Sequence, residues 1–107
     1  MKRHTPALFI LGLALLLGGF ASPALADEAL ARSRTCLACH QVERKVVGPS
    51  FKAIAAKYAG RTDMVDPLAK KIRAGGGGVW GPVPMPANPR VSEADAKALA
   101  SWILGLK

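Results

Sequence analysis

The pattern of apolar and polar positions splits this chain near residue 26. Before that point Leu8 to Leu17 is an apolar run broken only by Gly12, preceded by Lys2 and Arg3 and followed by Gly18, Gly19, Pro23 and Ala24-Leu25-Ala26. A positive start, a short apolar stretch and a small-x-small site predict a secretory signal peptide over 1–26, cleaved after Ala26. An uncleaved anchor fits less well, because the run is shorter than the roughly 20 residues that cross a bilayer. Export would place the remaining single domain, 27–107, in the periplasm.

After residue 26 no alternating strand pattern is found, and apolar positions recur at helical spacing, so the expected class is all-α with about four short helices. The first runs from about Asp27 to Cys39, with Asp27 and Glu28 favouring its N-terminus and Leu30 and Leu37 sharing a face. Gln41 to Pro49 reads as a loop. The second runs from about Ser50, as N-cap, to Ala59, with Gly60 as its stop and Phe51, Ile54, Ala55 and Tyr58 as its buried face. The third starts at Asp66-Pro67 and ends near Ala74, with Leu68 and Ile72 as its apolar pair. The fourth starts at Ser92, where Asp95 completes a partial capping box, and its inner stripe is Leu99, Trp102, Ile103 and Leu106. Between the third and fourth lies a stretch, 75–89, so rich in Gly and Pro that neither a helix nor a central strand is expected. It reads as a long structureless loop, which in a small domain usually has a function. Gly75 to Gly78 lack the Lys and Ser/Thr of a phosphate-binding loop, so they read as a turn letting backbone pass close to something flat.

Composition sharpens the chemistry. Removing residues 1–26 from 107 leaves 81 residues, two Cys and one His. A domain of that size buries a modest core and needs a staple. Cys36-Leu37-Ala38-Cys39-His40 supplies one. It reads C-x-x-C-H, the pattern of covalent c-type haem attachment, in which two thiols form thioethers with the porphyrin and the next imidazole ligates iron. A zinc site would need about four Cys/His ligands, and a thioredoxin-like motif would need a βαβ context. A plain structural Cys pair, a disulfide included, is the remaining alternative. One covalent haem c is therefore the expected cofactor, and the chain without it is expected to fold poorly.

A six-coordinate iron needs a second axial ligand. With His40 used, Met64 and Met85 are the available thioethers. Met64 sits in a short linker and reads as core filler or surface. Met85 sits between Pro84 and Pro86 on a stiffened segment far along the chain, as a ligand from the opposite haem face should, so Met85 is the expected partner of His40. A loop methionine that merely covers a core, a lysine ligand and an open iron site are the competing readings.

Taken together these residues resemble the class I cytochromes c, in particular the small bacterial cytochrome c-551 (cytochrome c8) type. The resemblance is carried by the Cys36–His40 motif, Val47-Gly48-Pro49, Gly78 to Pro86, and Leu99-Ala100-Ser101-Trp102, and covers essentially all of 27–107. It implies four helices around one haem with an exposed edge. It also implies that the Pro49 carbonyl accepts from the His40 ring, in keeping with the rule that a ligating imidazole donates its other N–H. Trp80 would donate its indole N–H to a haem propionate, and Asn88 would hydrogen-bond the Met85 sulfur. Lys71 occupies a position where the family often has Arg or His near a propionate. Trp102 reads as core packing. Ala31 stands where many relatives have an aromatic, and Thr35 where some have Gly.

Charge decides what kind of partner to expect. Without Lys2 and Arg3 the chain keeps 13 Lys+Arg against 7 Asp+Glu, or +6 before any propionates. Export and the lack of interleaved aromatics argue against nucleic acid. A basic rim suits steering toward acidic redox proteins, with Val46, Val47, Val83 and Ala87 as an apolar centre. The expected function is that of a monomeric, soluble one-electron carrier, not an enzyme. The partners the resemblance implies are a quinol-oxidising complex as donor and a nitrite reductase or terminal oxidase as acceptor. Two alternatives stand beside it: a peroxidase or gas sensor whose Met is displaced, and a dedicated redox subunit of a larger enzyme.

Overall fold

A computed structural model describes residues 12, 18 and 26–107. The signal-peptide reading of 1–26 falls almost wholly outside the described residues. The order of elements is α1 (Glu28–Ser33), a 3₁₀ turn (Cys36–Ala38), α2 (Phe51–Lys57), a second 3₁₀ turn (Thr62–Met64), α3 (Val65–Ala74), β1 (Gly76–Gly78), β2 (Gly81–Met85) and α4 (Glu93–Leu104). Among the described residues no helix is long and apolar enough to cross a membrane.

Three of the four helices among the described residues start on side-chain caps. Asp27 accepts from the amide of Leu30, Ser50 from Ala53 and Ser92 from Asp95, each at 3.0 Å. Each bond satisfies one of the donors a helix N-terminus leaves free. The carboxylate of Asp95 does not complete a capping box. It pairs with Arg34 at 2.8 Å, tying the end of α1 to the start of α4. The third helix departs from expectation. The second 3₁₀ turn leads into it, it begins at Val65 and not on an Asp66 cap, and Pro67 occupies its third position. A proline there forfeits nothing, since the first four amides of a helix have no intrahelical acceptor.

The first helix is shorter than its apolar spacing predicts. It ends at Ser33, and Thr35 takes a left-handed conformation with φ 61° before the chain re-enters a 3₁₀ turn at Cys36. The stretch 75–89 is not structureless either. Its first part folds into an antiparallel hairpin, with Gly76 opposite Met85, Gly78 opposite Gly81, and an irregularity between. Prolines 82 and 84 permit this because backbone groups alternate sides along a strand. Gly81, Val83 and Met85 turn their amides to one side, and the prolines, which have none, fall on the other.

The core is Ala31, Phe51, Ala69, Val91, Ala96, Leu99, Ala100 and Ile103. On α4 the buried stripe is Ala96, Leu99, Ala100 and Ile103, so two alanines take the place expected for Trp102 and Leu106, which are half-buried. Alanine there brings α3 and α4 close, and most of the interhelical packing lies between them. Other predicted core positions, Ile54, Tyr58, Leu68 and Ile72, are only half-buried. Their stripe faces inward, but toward a cavity.

Candidate functional site

One wall of that cavity is built locally. The amides of Cys39 and His40 both donate to the Cys36 carbonyl, at 3.2 and 3.0 Å, which winds the Cys36–His40 segment into a tight turn. The Cys39 carbonyl then accepts from Val47 at 3.2 Å and Gly48 at 2.8 Å, folding the 41–49 loop back over the turn. This brings the Pro49 carbonyl to His40 Nδ1 at 2.8 Å. A carbonyl can only accept, so the proton sits on Nδ1 and Nε2 keeps its lone pair. The imidazole is buried and stacked on Phe51 at 5.2 Å between centroids, and Phe51 meets Trp102 edge-on at 5.4 Å. Trp102 is thus a packing residue. Gly48 lies so close to the ring that a Cβ there would stand 2.5 Å from His40 Cε1. Both cysteines are free thiols facing the cavity, and burial pushes the Cys36 thiol up from its ordinary pKa.

Further lining comes from far along the chain. Met85, at the end of β2, lines the cavity with Val83, Pro84 and Pro86. Met64 lines it too, from the turn before α3, so burial alone does not separate the two methionines. Lys71 reaches the cavity from α3, and its stem and ammonium run along Gly76. Trp80 lies at the hairpin tip, lines the cavity and remains 42% exposed, with the Lys57 ammonium 5.4 Å from its ring centre. Asn88 lies on the turn that follows Met85. Its side-chain amide donates to the carbonyls of Ile72 at 3.1 Å and Pro86 at 3.2 Å.

The cavity has a volume of about 280 Å³, and its lining is mainly apolar, including Ile54, Leu68, Ile72, Leu99 and Ile103. Such a space is far larger than an ordered water needs and offers water few polar partners. Two thiols, a tautomer-fixed imidazole and a thioether share this lining. That donor set fits a covalently attached haem: Cys36 and Cys39 for the thioethers, His40 Nε2 for the iron, and an apolar cradle for the macrocycle. It does not fit zinc, since among the described residues no group of three or more His, Cys, Asp or Glu could hold a metal ion. The mouth is rimmed by exposed Val47, Val79, Trp80 and Val83, with Val46 beside them. Val79 and Trp80 were not foreseen at this rim. They are the two residues of the hairpin turn, a placement that only the hairpin itself reveals.

Comparison with known proteins agrees with the cradle. The family model described as Cytochrome c matches residues 27–107. Cytochrome c-552 of Nitrosomonas europaea is 60% identical over 94 residues, covering 88% of each chain. Cytochrome c-551 of Stutzerimonas stutzeri is 50% identical over 109 residues, covering 100% of each. The crystal structure of wild-type N. europaea cytochrome c552 superposes with a TM-score of 0.73 at 62% identity, over 76% of this chain and 100% of that one.

Proposed function

Because this chain belongs to the cytochrome c family, with one covalently bound haem c and a role in electron transfer, not enzymatic catalysis, we propose that it is a periplasmic one-electron carrier with His40 and Met85 as axial ligands. When bound, the haem iron supplies the Fe(III)/Fe(II) couple. The observation that supports the reading is one apolar cavity lined together by Cys36, Cys39, Met85 and a His40 whose Nδ1 is held by Pro49.

The chain's own residues do four things. Cys36 and Cys39 anchor the group covalently to a turn that is itself hydrogen-bonded to the loop beyond it. Pro49 orients the imidazole and makes Nε2 more basic. Met85, a soft thioether, favours the reduced state and raises the potential. Ile54, Leu68, Ile72 and Leu99 exclude water, which favours the less charged reduced state again. Among the described residues His40 is the only histidine, so the far wall has no imidazole for proton transfer to peroxide. Trp80 and Lys71, both at the cavity, are the proposed propionate partners. The domain is 27–107 after removal of a leader ending at Ala26, a reading supported by the family match over those residues.

Electrons would leave through the apolar rim of Val46, Val47, Val79, Trp80 and Val83, in encounters with proteins whose docking faces are acidic. Lys45 beside Val46, Lys57 over Trp80 and Lys71 at the cavity supply the complementary charge. Donor and acceptor would be a quinol-oxidising complex and a nitrite reductase or terminal oxidase.

The test is an optical spectrum of the purified holoprotein in both oxidation states, with and without carbon monoxide. The expected result is the weak far-red band of a Met-ligated ferric haem and no response to carbon monoxide. Met85→Ala should abolish the band and admit carbon monoxide, and Met64→Ala should do neither. The reverse assignment would overturn the ligand set.

A further inference from the structure

The segment that carries Met85 returns to the fold through a turn, Asn88-Pro89-Arg90-Val91, closed by the Val91 amide on the Asn88 carbonyl at 3.1 Å. Proline at the second position presets that turn. Three further bonds clasp it to the end of α3. The Asn88 amide donates to the Arg73 carbonyl at 3.1 Å, the Asn88 side chain donates to the Ile72 carbonyl at 3.1 Å, and Arg73 Nε donates to the Val91 carbonyl at 3.0 Å. The first two satisfy helix-end carbonyls that α3 cannot satisfy itself. Gly75, with φ 73°, completes the joint by close packing, for a Cβ there would lie 2.6 Å from the Met85 carbonyl oxygen and 2.7 Å from the Ala87 amide.

Of these contacts the Arg73 bond is the one made by a charged side chain reaching forward. Among the described residues Arg73 has no carboxylate partner. Val91, its acceptor, is a core residue at 3% exposure, directly before the Ser92 cap of α4. Its carbonyl is therefore a fixed point, and the guanidinium ties it to the helix that flanks Met85.

We propose that Arg73 is a positioning residue for axial ligation: by clasping Val91 it holds the Met85 segment against α3 and opposes release of the thioether. The proposal rests on Met85 being the iron's ligand. Loss of the clasp should favour the released state over the ligated one, and an external base should reveal this by competing for iron.

The experiment titrates imidazole into the ferric holoprotein and follows loss of the far-red band. Four proteins are compared: wild type, Arg73→Met, Arg73→Lys, and Arg34→Met, which breaks an ion pair on the α1–α4 side. Losing a hydrogen bond from a charged donor should make Arg73→Met bind imidazole about tenfold more tightly. Arg73→Lys, which keeps a donor, should stay near wild type, and Arg34→Met should as well, though its denaturation midpoint falls. Equal imidazole affinity in Arg73→Met and wild type overturns the clasp. An equal rise in Arg34→Met also overturns it, since the effect would then be general loss of stability. A wild-type protein without the band removes Met85 as ligand and the clasp's role with it, a failure distinct from the other two.

Discussion

Gly48→Ala is the sharpest probe of the wall that holds His40. The added Cβ would stand 2.5 Å from His40 Cε1 and 2.9 Å from Nδ1. Carbon atoms pack at about 3.5–4.0 Å, so one side must yield by about 1 Å. The glycine is poorly placed to yield, because its amide donates to Cys39 at 2.8 Å and its carbonyl accepts from Val46 at 3.2 Å. The imidazole is stacked on Phe51 and tied to Pro49 at 2.8 Å. A shift of that size breaks the Nδ1 bond. Overpacking costs about 1–3 kcal/mol and the lost hydrogen bond about 0.5–1.5, so about 3 kcal/mol in all. For a domain of this size each kcal/mol moves the melting temperature by about 4–8 °C, so the midpoint should fall by roughly 12–24 °C. The assay is thermal unfolding of the ferric holoprotein followed by circular dichroism, paired with a redox titration. With His40 as the proposed iron ligand, loss of the Pro49 bond would make it a weaker donor, so the midpoint potential should rise. A melting point within about 3 °C of wild type and an unchanged potential would refute the tight fit described between Gly48 and His40.

Three further outcomes follow from the packing and the charges. Leu99→Ala removes a side chain that is 1% exposed and should cost about 2–5 kcal/mol in guanidinium unfolding. Thr35→Gly should raise stability by about 0.5–1 kcal/mol in the same assay, because φ 61° is unfavourable for a β-branched residue and open to glycine; a loss would show that Thr35 is not strained. Asp63 is held below the ordinary carboxylate pKa by its hydrogen bond and ion pair with Arg61. Its small stabilising effect is therefore present above the ordinary value and lost as pH falls through the lowered one, and an NMR titration should show its midpoint rising in Arg61→Gln.

The features legible in the sequence were those whose cause is local. Ser50 and Ser92 cap helices because a serine before an apolar-periodic run has few better uses. The Cys36–His40 turn and its return to Pro49 close within a few residues, and the resemblance to class I cytochromes c supplied the meaning of that closure. Where local signals misled, a tertiary demand had prevailed. The apolar pair Leu30 and Leu37 suggests one helix, yet the chain breaks at Thr35 so that Cys36 can start a tighter turn. The glycines and prolines of 75–89 argue against any regular structure taken one at a time, but alternate prolines are compatible with an edge strand. Asn88 was assigned to the Met85 sulfur by resemblance, and no feature of the sequence shows that its side-chain amide also donates to the Ile72 carbonyl at the end of α3 and to the Pro86 carbonyl.

The two walls also differ in how they are held, and this bears on which opens first. His40 is fixed by hydrogen bonds spanning at most 9 positions, to Pro49 and through the Cys36 and Cys39 carbonyls, and by stacking on nearby Phe51. Such contacts close at little entropic cost and re-form quickly. Met85 depends on Asn88 and Arg73, whose bonds reach 16 and 18 positions across the chain and require α3 to be docked. The hairpin that carries it is exposed along β1, and it is steadied by the β1–β2 ladder, the Lys57–Trp80 contact and the Lys71 side chain along Gly76. A covalent anchor further secures the His40 side and has no counterpart on the other. Partial unfolding should therefore begin at the Met85 side. Native-state hydrogen exchange should find the amides of β1, β2 and Asn88 opening at a lower free energy than those of Gly48 and Phe51. Equal protection on both sides would mean that the long-range clasp is as strong as the local turn.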